Sequence, residues 1–401
     1  MKKIGFTVAF LGVVILANAQ CGSINSGIRA LTQDKIPEAT VLFEKASREI
    51  VAAESKNDSL DIKCYAKFYY GSGSTFLQEL EYHPKLDLVE KIALLNKSEK
   101  YFKKFFDLNY GDKSYNTKVK TDLEAVANRQ KEVAYDYFQN GDYETALILF
   151  EKCIANKSIL GLTYLDLHAY ESATITATRA GEYKKALNYN QVIINNPTVK
   201  VGSSENKQDK NLARKASLLS NLGRNDAALV VLDSTRNLFP ENTSIEFQQL
   251  TIYMDAKNYD KALKVLESLT TKITDREDLF LTMGQIYSAV GNVDKSFNAY
   301  KKALTINTES INALYGLGAY YVNRTNSEVE MLNSTTDTTR RAQMITERNK
   351  NFDKAIYYFE KLLKADPKDI PTLNALKKVY EMKEDKEKVE EIKARITASN
   401  S

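Results

Sequence analysis

The chain has 401 residues, 43% hydrophobic and 27% charged, with a formal net charge of +4. That charge is too small to point to nucleic acid or an anionic lipid surface on electrostatics alone. Its 16 Gly and 6 Pro are about half the usual share, which argues against a loop-rich β fold, a collagen-like chain or disorder and favours helices joined by short turns.

Lys2 and Lys3 open the chain, residues 4–16 are uncharged and mostly apolar, and Ala17-Asn18-Ala19 follows. A basic start, a short apolar run and a small-x-small site predict a secretory signal peptide over residues 1–19, with the mature chain beginning at Gln20. The apolar run is too short for a permanent span. No later segment has 18 uncharged apolar residues, so no transmembrane segment is expected after signal removal. Cys21 leaves an alternative open, a lipid anchor on that thiol. Gln20 and Asn18 are poor residues for the lipoprotein signal, so free export is preferred. Cys21, Cys64 and Cys153 have no close spacing, so no disulfide framework is expected. Cys153 falls at a small core position.

Further along, one pattern recurs: a turn residue, an aromatic two later, then Ala, then a large apolar residue four later. It reads Gly141-Asp142-Tyr143 with Ala146 and Phe150, Gly181-Glu182-Tyr183 with Ala186, and Gly223 with Ala228 and Leu232. It continues as Asn258-Tyr259 with Ala262 and Leu266, Gly291 with Ser296 and Tyr300, and Phe352 with Ala355 and Phe359. Positions 228, 262 and 296 are 34 apart, as are 355 and Val389. Twelve residues upstream of Ala39, Ala146, Ala186, Ala228 and Ser296 stand Gly27, Ala134, Thr174, Ala216 and Gly284, mostly followed three later by Tyr or Leu. Small residues at both positions let paired helices approach while Tyr and Leu fill the gap between them. A 34-residue helix–turn–helix period with these features resembles the tetratricopeptide repeat, over essentially the whole mature chain.

The resemblance implies an all-α, right-handed solenoid of about eight to nine helix–turn–helix repeats, spanning residues 20–401. The repeats fall at about 20–49, 64–109, 127–156, 167–196, 209–240, 243–272, 277–308, 311–367 and 370–397, the last a C-terminal cap with a densely charged tail. Two are lengthened by hairpin insertions at about 78–93 and 325–350. In the second, Ala342, Ile345, Asn349, Phe352, Ile356, Phe359 and Leu363 form a heptad seam, and Thr336 and Asp337 are candidate N-caps. These arms either dock a partner or simply cover neighbouring repeats. A polar connector near 195–207 reads as a surface loop.

Chemical motifs are sparse. His83 and His168 have no partner at metal-ligand spacing, and no nucleophile elbow, Walker loop or dinucleotide fingerprint occurs. Gly71-Ser72-Gly73-Ser74 resembles a phosphate loop but lies in a helical pattern without a following Lys. Lysines 100, 103 and 104 are compensated, as a solvated helix face would be. No catalysis, cofactor or metal site is therefore expected, and no nucleic-acid partner.

In the family that the repeats resemble, first helices line a concave groove. Its register here gives Tyr65, Phe68, Phe76, Lys131, Tyr135, Phe138, Glu171, Arg179, Phe247, Met254, Asp255, Gln285 and Tyr315 as candidate partner-binding residues, an aromatic-rich set suited to a peptide. The expected function is a non-catalytic protein–protein interaction scaffold that binds a peptide or protein in the periplasm or at the outer membrane, or after secretion. The alternative is a lipid-anchored accessory subunit of an outer-membrane assembly or nutrient-uptake complex, with Cys21 lipidated.

Overall fold

The computed structural model describes residues 21–56, 60–161, 165–196 and 208–400. The expected signal peptide and most of the 195–207 connector lie outside these. Among the described residues there are eighteen helices and no strand.

They fall into two compact units, divided between residues 231 and 232, inside one helix. Unit 1 contains α1 (Gly22–Thr32), α2 (Ile36–Glu54), α3 (Ile62–Tyr82), α4 (Leu88–Asp107), α5 (Lys113–Gln139), α6 (Tyr143–Ile159), α7 (Leu167–Arg179), α8 (Tyr183–Ile194) and α9 (Gln208–Asn221). The boundary cuts α10 (Asn225–Leu238). Unit 2 contains α11 (Thr243–Asp255), α12 (Tyr259–Lys272), α13 (Glu277–Ala289), α14 (Val293–Ile306), α15 (Ile311–Ser334), α16 (Thr338–Ala365), α17 (Ile370–Met382) and α18 (Lys386–Asn400). Within each unit, consecutive helices pair as hairpins and each hairpin packs on the next.

The recurring turn explains the pairing. A first helix ends in a residue with left-handed backbone, φ +83° at Gly141, +77° at Gly181 and +78° at Gly291, where Gly carries no steric penalty. The next residue caps the second helix: Asp142 accepts from the Thr145 N–H, and Asn292 from the Lys295 N–H. Lys257 takes the same place at φ +52°.

The small positions do what close approach requires. Ala134, Ala146, Ala186, Ala216, Ala228 and Ala262 are fully buried. A Cβ on Gly284 would sit 2.7 Å from the Tyr300 ring, and Ser296 Oγ donates to the Gly284 carbonyl at 2.8 Å.

Several expectations change. Cys21 and Cys64 are joined by a disulfide, their Cα atoms 5.9 Å apart, and both are buried; it ties α1 to α3, where no pairing was expected from the spacing. The bonded Cys21 sulfur cannot also carry a lipid thioether. Cys153 is free and buried, and burial pushes its thiol up to about 11.

Helix α5 begins at Lys113, well before residue 127, capped by Asp112; Val119, Leu123 and Val126 are buried along that added length. In the second long hairpin Asp337 does cap α16, accepting from the Thr339 and Arg340 N–H groups. The heptad seam holds only from Phe352 onward. Ala342, Ile345 and Asn349 are exposed, while Met344, Arg348 and Asn351 turn inward.

Candidate partner-binding face

The first helices of unit 1 place the N-terminal candidates against neighbours. Phe68 is 4% exposed, wedged between Phe43 and Tyr101 at ring distances of 6.4 and 5.7 Å, so it is core. Half-buried Phe76 stacks on Tyr101 of α4 at 5.8 Å. Tyr65 donates its hydroxyl to Glu54 at 2.9 Å. Burial and that carboxylate push its phenol up to about 12.

On α5 and α7 the candidates form one polar cluster. Tyr135 Oη lies 2.7 Å from Ser172 Oγ and 3.1 Å from His168 Nδ1, and its ring sits edge-on to Phe150. Lys131 reaches Asp166 at 3.4 Å, and Lys157 reaches the same carboxylate at 2.5 Å. Asp166 also caps α7 through the Ala169 N–H. Burial alone would raise the Asp166 carboxyl, but the Lys157 ammonium and the capping bond hold it below its ordinary range. Phe138 packs on Tyr143 at 5.3 Å. Glu171 pairs with Arg214 of α9 at 3.5 Å, and Arg179 is exposed.

Beside these half-buried groups run two exposed stripes. One is Arg129, Glu132, Asp136 and Gln139 on α5; the other is His168, Ile175 and Arg179 on α7. The free face is therefore more charged than the aromatic-rich set suggested. A cleft of about 350 Å³ opens where α3, α4 and α5 meet, lined by Leu80, Leu95 and Val133 with Glu81, Lys91, Arg129, Glu132 and Asp136. Arg129 is held between Glu132 at 2.8 Å and Glu81 at 3.2 Å, while Asp136 has no ion pair among the described residues.

In unit 2 the candidates scatter. Phe247 lies under the Arg276 guanidinium at 4.8 Å, and Met254 packs on the apolar cluster of α11 to α13. Asp255 and Gln285 are exposed. Tyr315 is partly exposed, its ring 5.8 Å from Phe359. The structure brings together the α5 and α7 candidates; those of unit 2 form no single cluster.

A tetratricopeptide-repeat family profile matches residues 278–310. Of solved structures, the C-terminal part of a TPR repeat-containing protein from Cytophaga hutchinsonii shares the fold with a TM-score of 0.50, at 16% identity, over 67% of this chain and 94% of that one. Residues 278–310 thus match a tetratricopeptide repeat, and the fold is that of a tetratricopeptide-repeat solenoid. BBSome complex member BBS4 of Bos taurus is 30% identical over 113 residues, covering 28% of this chain. The chain spans only 21% of that protein's length. YrrB, described as a TPR protein with an unusual peptide-binding site, aligns with a TM-score of 0.34 at 20% identity, over 47% of this chain and 90% of its own.

Around the cleft, sequence reasoning missed Glu81, Arg129, Glu132 and Asp136. Their signal was available only in part: Arg129, Glu132 and Asp136 recur at helical spacing on one polar stripe of α5. That Glu81 and Leu80 face them follows from the packing of α3 on α5, which periodicity does not encode.

Proposed function

We propose that this protein is a non-catalytic interaction scaffold of the cell envelope that receives a peptide or protein segment on the first-helix face of unit 1. The reading is carried by the cleft between α3, α4 and α5. Leu80, Leu95 and Val133 supply an apolar floor, and Glu81, Glu132 and Asp136 outnumber the cations Lys91 and Arg129 around it. An apolar channel with a carboxylate rim suits a Lys or Arg side chain, which buries its methylene stem and keeps its charge at the mouth. A preorganised helical face lowers the ordering cost of binding.

Export is proposed from the signal-like residues 1–19. A disulfide between Cys21 and Cys64 supports that reading, because such bonds persist in oxidising compartments. A lipid-anchored subunit is less favoured, since it needs the Cys21 sulfur free. The intact mass of the mature chain separates the two, a diacylated Cys21 against an unmodified N-terminus.

The groove reading is tested by affinity for lysine-containing decapeptides with the Glu132→Lys, Asp136→Lys double variant, both positions being exposed. We expect binding to weaken at least about tenfold, the scale of a lost charge-assisted contact. Unchanged affinity would remove the cleft from the binding face.

A further inference from the structure

A second cleft, of about 390 Å³, lies between α2, α3 and α4 and shares no residue with the first-helix cleft. Its lining joins the rings of Phe43, Phe76 and Tyr101 to Ser72 at depth, with Arg48 and Glu44 on α2. We propose that it binds a small organic monocarboxylate with an aromatic or aliphatic body.

The Gly71-Ser72-Gly73-Ser74 string builds the cleft. It is buried inside α3, so it is no phosphate loop. A Cβ on Gly71 would strike the Phe43 ring, and one on Gly73 would come within 2.5 Å of Phe102. Both glycines let α3 sit tightly against α2 and α4. Ser74 Oγ is used in a bond to Asp122. Two other hydroxyls of the lining are also used: Thr75 donates to the Gly71 carbonyl at 2.8 Å, and Thr40 to Glu79 at 2.6 Å. Ser72 Oγ is different. The residue is 2% exposed, lines the cleft and has no hydrogen-bond partner. Buried hydroxyls are rarely left so; the oxygen has almost no accessible surface, and a turn about Cα–Cβ toward the cleft would let a ligand polar atom satisfy it.

Charge at the mouth selects the ligand. Arg48 is exposed and has no carboxylate partner among the described residues. Lys97 Nζ stands 5.1 Å over the Phe76 ring, likewise without a carboxylate. A guanidinium is suited to a planar carboxylate through two parallel bonds. The aromatic lining takes the apolar body. Glu44, one turn before Arg48 on the same helix, opposes multiply charged anions, so inorganic phosphate is not expected to compete.

This proposal uses no residue of the α3–α4–α5 cleft that carries the peptide reading, so it stands or falls independently of that reading. The test is calorimetric titration of the full mature chain with 3-phenylpropanoate, 3-phenylpropan-1-ol and inorganic phosphate. We expect the acid to bind on the order of tenfold tighter than the alcohol. Arg48→Gln should remove that advantage and leave the alcohol unchanged. Ser72→Ala should weaken both ligands a few-fold. Unchanged helical circular dichroism and melting in each variant separate loss of the site from loss of fold. Four results overturn the proposal: equal binding of acid and alcohol, acid binding indifferent to Arg48→Gln, phosphate competing as well as the acid, or no saturation by about 10 mM, beyond the millimolar range of weak specific sites.

Discussion

Breaking the Cys21–Cys64 bond, by reduction or by Cys64→Ser, removes a covalent tie between residues 43 apart in sequence. Loop-closure entropy for that separation is about 4 kcal/mol at 25 °C. The loss should be local, because the tie holds α1 and α2 onto α3 in the first apolar cluster, which contains Ile24, Phe43 and Phe68. Thiol counting by alkylation and mass spectrometry checks the bond itself. Of three cysteines in the chain, two are bonded and Cys153 is buried. The native chain should therefore label at none, the denatured chain at one, and the denatured and reduced chain at all three. Hydrogen exchange should then show reduction opening α1 and α2 before the rest of unit 1. Three reactive thiols in the denatured, unreduced chain would refute the pairing. Unchanged exchange of α1 and α2 after reduction would refute its structural role.

Gly284→Val drives a side chain into the Tyr300 ring 2.7 Å away and should destabilise unit 2 by about 1–3 kcal/mol in urea unfolding. At the turns, Gly291→Ala should cost about 1 kcal/mol, the left-handed penalty of a Cβ. Lys257→Gly, at φ +52°, should be neutral to mildly stabilising in the same assay, since relief of that penalty offsets the added chain entropy of about 0.5–1 kcal/mol. Asp166→Asn should cost about 2 kcal/mol at pH 7, below the range for a fully buried pair, because Lys131 and Lys157 keep some solvent contact. The folded Asp166 carboxyl lies below its unfolded value. Its contribution is therefore whole above the unfolded value near ~4 and is lost as pH falls through the folded one. Urea midpoints from pH 7 to pH 3 should show that acid step in the parent chain and not in the Asn variant.

The hairpin turns and helix contacts were legible because each rests on local chemistry. A left-handed Gly, an Asx cap and a small residue facing a ring leave their mark within about twelve residues, as Gly291, Asn292, Ser296 and Gly284 do. The disulfide was not legible, since Cys21 and Cys64 meet only after two hairpins have stacked. The N-terminal extension of α5 was legible in hindsight through Asp112, Val119, Leu123 and Val126, but it lies outside the repeat period. Aromatic residues misled the face assignment for a physical reason. The period that turns Phe68 and Phe76 to one side of α3 does not distinguish a groove from the adjoining hairpin, and Phe43 and Tyr101 cover them. Buried polar links were equally hidden. Glu99 of α4 accepts from Gln130 at 2.8 Å, and Gln130 in turn accepts from Asn156 at 2.9 Å, joining three helices that sequence spacing treats as separate.

The first-helix face of unit 1 is the proposed seat of a partner segment. Site-specific photo-crosslinking from position 136 in cells that produce the protein tests this most directly. The expected result is a crosslink to one discrete polypeptide through a Lys- or Arg-bearing segment, competed by lysine-containing peptide and lost in Glu132→Lys. A crosslink-free position 136, or crosslinks that survive both competition and charge reversal, would contradict it.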